Sequence, residues 1–146
     1  MIFKNIKPEI VERLKQKLAA NTFSTFIGVD YLAIDQGEVT AKVLLAKNLL
    51  QQNGYGHGGL ISTMCDVVSG FAAYTVIDLE KQVVTGEIKI SYLRAAKGKA
   101  LYANGKVIKA GNRIVFTEAE AYYFEENERK IVAKSSASMV VVGNKY

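Results

Sequence analysis

The stretch from Gly59 to about Val76, GLISTMCDVVSGFAAYTV, restricts the possible folds of this chain more than any other segment. It has no proline and is apolar on most sides, so it reads as a helix of about five turns buried nearly all round. Such a helix has to be enclosed by the rest of the chain. Its few small or polar residues, Ser62, Thr63, Asp66, Ser69, Gly70 and Ala73, lie three and four positions from one another and form one stripe.

The flanking segments supply the enclosure. Pro8 to Ala20 reads as a short amphipathic helix, with proline in its first turn and Ile10, Leu14 and Leu18 at helical spacing; Asn21 is its stop signal. Strands are expected from Phe26 to Ile34 and from Glu38 to Leu45, around the turn Asp35-Gln36-Gly37. A loop from Ala46 to Gly56 carries the glycine-dense run Asn53-Gly54-Tyr55-Gly56. After the long helix, Gln82 to Leu93, Lys99 to Lys109, Arg113 to Phe124 and Lys130 to Val142 read as a meander of four strands. In the first of these, Val84, Ile88, Ile90 and Tyr92 share one face and Thr85, Glu87, Lys89 and Ser91 the other. The order predicts a single α+β domain over residues 1–146, with about six antiparallel strands wrapped around one buried helix.

Composition narrows the function. Hydrophobic residues make up 49% and charged residues 23%, and no apolar run is long enough to span a bilayer. The N-terminal residues lack an apolar signal core, so the expectation is a cytosolic protein with no membrane partner. The net charge is +5, but the lysines are scattered and no dense basic run with interleaved aromatics points to nucleic acid. The excess suits a small ligand that carries phosphates. The single cysteine, Cys65, excludes an intrachain disulfide and reads as a small buried hydrophobe. One histidine cannot supply a zinc site with its usual companions, and no serine stands in a nucleophile-elbow context. Gly54-Tyr55-Gly56-His57-Gly58-Gly59 lacks the Lys-Ser/Thr that completes a phosphate loop. No cofactor and no metal are expected.

Asp66 stands out. A carboxylate inside an apolar helix costs several kcal/mol if it is buried, charged and unpaired. Either hydroxyls such as Ser62, Ser69 or one on a facing strand hold it, or it lies at an interface, or it works. At the helix entrance, His57-Gly58-Gly59 can be a tight turn, or can offer unpaired N–H groups to an oxyanion at the positive end of the helix dipole. The two features are eight residues apart, about 12 Å along a helix. If both touch one reacting carbonyl, they must come from different subunits, with two helices antiparallel about a twofold axis.

The segment from Asn53 through His57-Gly58-Gly59 to Asp66 resembles the hotdog-fold thioesterases of the phenylacetate-degradation type. The resemblance continues through Val84 to Leu93, Gly98, Gly111-Asn112-Arg113 and the small-residue-rich last strand, covering roughly residues 25 to 142. It implies a hotdog fold, a homodimer that often pairs into a tetramer, and hydrolysis of acyl-CoA thioesters. By position, Asp66 matches the carboxylate that activates water or attacks the thioester, Gly58 the backbone donor to its carbonyl, and His57 the residue that shapes the loop. Thr85 matches a hydroxyl that helps place the nucleophile. The alternation puts Thr85 on the wrong face for this, so the role requires a twist or bulge at Gly86. The family often has asparagine where this chain has Gln51; Gln51 can substitute, or Asn53 can shift in, beside Gly59. The family's proline before Gly98 is replaced by Ala95-Ala96. Arg94, Lys97, Lys99 and Arg113 are candidates for the CoA phosphates. A non-catalytic acyl-CoA or acyl-carrier binding module is the alternative function class.

Overall fold

The computed structural model describes residues Met1 to Gly143. Two short elements open the chain, strand β1 (Ile2–Lys4) and helix α1 (Pro8–Ala20). Helix α2 (Thr22–Ile27), strand β2 (Asp30–Asp35) and strand β3 (Glu38–Leu44) follow. A single 3-10 turn (Lys47–Leu49) leads into the loop before helix α3 (Gly58–Tyr74). Strands β4 (Lys81–Tyr92), β5 (Ala100–Ala110), β6 (Ile114–Glu125) and β7 (Glu128–Gly143) complete the chain. The strands form one sheet in the order β1-β2-β3-β5-β6-β7-β4, curled around α3 as a hotdog fold.

Three expectations need correction. The strand expected from Phe26 begins only at Asp30, because Thr22–Ile27 is a helical turn and a half. The Asn21 side chain accepts from Ser24 N–H at its start, and Gly28, at φ 78°, ends it in the left-handed region. The sheet has seven strands, since Ile2–Lys4 pairs parallel with β2. The four-strand meander is broken: β5, β6 and β7 are consecutive neighbours, but β4 lies beyond β7 at the sheet edge. Helix α3 separates β3 from β4 in sequence, and the chain leaves α3 on the far side of the sheet.

The core sits between α3 and the concave face of the sheet. Met64, Cys65, Val68 and Ala72 of α3 are fully buried against Val39, Ala41, Leu101, Ala103, Ala119 and Ala121. Gly105 on β5 makes the approach possible. A Cβ there would lie 2.7 Å from the Val68 carbonyl carbon and 2.9 Å from Ser69 N, inside the helix backbone. Burial also pushes the Cys65 thiol up to about 11, which agrees with a packing residue.

Helix α3 is less enclosed than its composition suggests. Gly59 is exposed, and Ser62, Thr63, Asp66, Val67 and Gly70 are only half-buried along one open face. Its C-terminal end is tied down by Arg13 of α1. The guanidinium donates to the carbonyls of Asp78 (2.6 Å), Ile77 (3.2 Å) and Tyr74, and burial lowers its pKa from the ordinary arginine value. A cation at a helix C-terminus is favoured by the dipole as well as by the bonds. Arg13→Ala should therefore cost about 2 kcal/mol, because buried carbonyls lose a charged donor. Chemical denaturation measures this, and a loss near zero would show that water replaces the guanidinium.

Candidate active site

Asp66 projects from the middle of α3 on its open face. The hydroxyl that holds it comes from the facing strand: Thr85 Oγ1 donates to Asp66 Oδ1 at 2.7 Å. Neither helix serine does this. Ser62 donates to the Gly59 carbonyl (2.9 Å), and Ser69 is fully buried, its hydroxyl making no hydrogen bond among the described residues. Thr85 can face α3 because the β4–β7 register shifts between Thr85 and Glu87. The extra residue is Gly86, and a Cβ there would meet Val140 Cγ2 at 2.7 Å. The bulge required by the sequence is present at that glycine, and it turns Thr85 toward α3.

The helix entrance is built by His57. Its backbone is extended and its Nδ1 accepts from Gly59 N–H at 2.9 Å, so the imidazole caps α3 in place of the usual serine or aspartate. An accepting Nδ1 places the ring proton on Nε2 in the neutral tautomer. With Gly59 N–H engaged, the N–H of Gly58 is left without an acceptor among the described residues. Tyr92, whose alternation in the sequence marks only a shared face with Ile88 and Ile90, holds this turn from β4. Its hydroxyl donates to the Gly58 carbonyl at 3.2 Å.

The preceding loop is self-contained. Gln51 N–H donates to Tyr55 O (2.8 Å), Gly54 N–H to Gln51 O (2.9 Å), and the Gln51 side-chain oxygen accepts from Asn53 N–H. Gln51 therefore shapes this loop, while the Asn53 side chain stays exposed. Gly56 bridges to Ala96, donating to its carbonyl at 3.0 Å. A Cβ on Gly56 would lie 2.8 Å from the Ala96 Cβ, so Ala95-Ala96 serves as a close-packed brace for the loop.

The brace brings Arg94 and Lys97 to the helix entrance, both exposed, with the Lys97 ammonium 5.9 Å from the Tyr55 ring centre. Arg113 is elsewhere. Its carbonyl accepts from Val141, which pairs with Val83, so it lies past Thr85 at the opposite end of β4. The chain thus carries two separated groups: Asp66 with Thr85 near the middle of β4, and Gly58, His57, Tyr92, Arg94 and Lys97 at its C-terminal end. Thr85 and Tyr92 are seven residues apart, about 23 Å along a strand.

Beside Asp66 lies a cavity of about 230 Å³, lined by Val67, Gly70, Phe71 and Tyr74 of α3, by Val83 and Thr85 of β4, by Lys17 of α1 and by Asn21 between α1 and α2. Gly70 and Tyr74 are four and eight residues beyond Asp66, a spacing visible in the sequence. Lys17 comes from a distant segment and carries no local signal.

Residues 53–129 match the family model described as the thioesterase superfamily. A Saccharolobus solfataricus protein named as a candidate esterase is 28% identical over 126 residues, covering 86% of this chain and 87% of that protein. The crystal structure of a thioesterase family protein from Silicibacter pomeroyi aligns with a TM-score of 0.89 at 25% identity, over 92% of this chain and 99% of its own. The PaaI protein of the E. coli phenylacetic acid degradation operon has a TM-score of 0.81 at 17% identity, over 92% and 94%, a likeness of fold.

Proposed function

This chain belongs to the thioesterase superfamily, and we propose that it hydrolyses acyl-CoA thioesters to the free acid and coenzyme A in a site shared between two protomers. The observation that carries the reading is the Thr85–Asp66 hydrogen bond on the open face of α3. It occupies one carboxylate oxygen and leaves the other for a water molecule.

Asp66 takes a proton from that water, and the Thr85 hydroxyl, already donating to Asp66, accepts from the same water and holds it in place. The water oxygen attacks the thioester carbonyl, whose oxygen gathers negative charge. The N–H of Gly58, at the positive end of α3, stabilises this oxyanion. Collapse of the intermediate breaks the carbon–sulfur bond, and the thiolate of coenzyme A leaves with the proton that Asp66 took from the water, which returns Asp66 to its carboxylate form.

The same geometry supports a dimer. Strand β4 is a 12-residue edge strand, a long unpaired edge of the kind that proteins rarely leave open. Antiparallel pairing of two such edges about an axis near Ile88 would set Thr85 of one protomer across from Tyr92 of the partner subunit. Asp66 of each protomer would then face Gly58 of the partner subunit, as the helix spacing demands. Arg94 and Lys97 beside that entrance, and Arg113 arriving from the other protomer, would offer cations to the CoA phosphates.

Thiol release from a panel of short, long and aromatic acyl-CoAs tests the reading. Catalytic turnover with at least one of them is expected. Tight stoichiometric binding with no thiol release would make the chain a binding module instead.

A further inference from the structure

We infer that the cavity beside Asp66 is a short acyl channel opened by Gly70 and closed by Lys17, and that it selects acyl groups with an anionic far end over plain fatty acyl chains. This inference rests on the thioesterase reading and extends it to the substrate class.

Gly70 is the first observation. Glycine inside a helix costs about 1 kcal/mol relative to alanine. Gly56, Gly86 and Gly105 are each required by a close neighbour, but a Cβ on Gly70 would meet nothing within 4 Å. Packing within the protomer therefore does not explain it. It lies one turn beyond Asp66 on the same face, and a side chain there would fill the cavity. The glycine keeps space open where an acyl chain leaves the thioester carbonyl.

The far end is polar. Tyr74, two turns beyond Asp66, donates its hydroxyl to Gln82 Oε1 at 3.1 Å and accepts from Val83 N–H at 3.2 Å. Lys17 reaches in from α1, donating to the same Gln82 oxygen at 2.5 Å, with its ammonium 5.7 Å from the Tyr74 ring centre. Lys17 has no carboxylate partner among the described residues, although it is half-buried and lines the cavity that holds Asp66. A cation at the far end of a cavity that is otherwise lined in part by Val67, Phe71 and Val83 disfavours a methyl terminus and favours a carboxylate.

Length fixes the class. Asp66 and Tyr74 are about 12 Å apart along the helix. Contacts of roughly 3 Å at each end leave about 6 Å for the acyl chain, the span of about five carbon–carbon bonds. An acyl group of about six carbons with a terminal carboxylate fits, and a long fatty acyl chain does not.

The test compares kcat/KM for adipoyl-CoA, hexanoyl-CoA and palmitoyl-CoA. Adipoyl-CoA should be preferred over hexanoyl-CoA by roughly tenfold, the scale of one charge-assisted hydrogen bond, and palmitoyl-CoA should be poorest. Lys17→Met should abolish the preference through KM, and Lys17→Arg should restore most of it. Gly70→Leu should lower kcat/KM for both six-carbon substrates more than for acetyl-CoA. Equal rates for adipoyl-CoA and hexanoyl-CoA, or a preference that survives Lys17→Met, would overturn this inference and leave thioester hydrolysis standing. Dissociation of the oligomer by Gly70→Leu would make Gly70 an interface residue and overturn the channel. Absence of hydrolysis with every acyl-CoA would overturn both readings.

Discussion

Asp66→Asn should lower kcat for acyl-CoA hydrolysis by about a thousandfold, within the range for loss of a positioned general base, while the protein stays folded and assembled. The amide is the same size as the carboxylate and its oxygen still accepts from Thr85 Oγ1. What it cannot do is take a proton from water. Because Asp66 is half-buried at the edge of the core, the exchange should change stability little. Thr85→Val should cost less, about tenfold in kcat, since it removes a positioning hydroxyl and keeps the carboxylate. Steady-state thiol release with circular dichroism as a folding control measures both. An Asp66→Asn variant with undiminished turnover would remove Asp66 from the chemistry.

The largest effect on stability is expected at Gly105. A methyl group there would sit 2.7 Å from the Val68 carbonyl carbon and 2.8 Å from Val68 Cγ2. The nearest atoms are helix backbone, so no rotamer change relieves the clash. Either α3 lifts from β5 or β5 bows outward, and both loosen the packing around Met64, Leu101 and Ala103. Gly105→Ala should therefore cost about 3 kcal/mol, at the upper end for overpacking, seen as a fall in Tm of roughly 10 °C. An unchanged Tm would mean that α3 does not rest on the sheet at this point. Gly70→Ala is the control, since a methyl group there meets nothing in the protomer.

The main architecture was legible because two periodicities alternate cleanly. The 3.6-residue spacing of Ile10, Leu14 and Leu18 marks α1, with bounds that match, and the two-residue spacing of Val39, Ala41 and Val43 marks β3. Local pattern failed at Phe26 and Ile27, which look like strand residues, although the caps at Asn21 and Gly28 set a helix over Thr22–Ile27. Pattern also carries no information on which strands pair, so the move of β4 to the edge beside β7 was invisible. The mixed burial of α3 shows the same limit: composition made it a core helix, but only topology shows that one face is left open.

The site was legible in part. The loop from Asn53 to Asp66 carried the resemblance that the family match and the fold bear out. The Gly86 bulge could be read from a conflict, because Thr85 faced the wrong way unless one residue was left out of the alternation. Tyr92 and Lys17 were missed because each meets its partner only through tertiary packing: Tyr92 with Gly58, Lys17 with Gln82 and Tyr74. Arg113 was grouped with Arg94 and Lys97 by charge, yet the register puts it at the other end of β4.

The proposed shared site is tested most directly by mixing two inactive variants. Gly58→Pro deletes the proposed oxyanion donor, and proline suits the first position of a helix, where Gly58 stands after an extended His57. Asp66→Asn deletes the base. Neither homo-oligomer should turn over acyl-CoA at an appreciable rate. After subunit exchange at equal ratio, half of the dimers should be mixed, each with one intact site, giving about a quarter of wild-type activity. No recovery, with exchange demonstrated by differently tagged protomers, would place Asp66 and Gly58 in a single protomer's site and contradict the account.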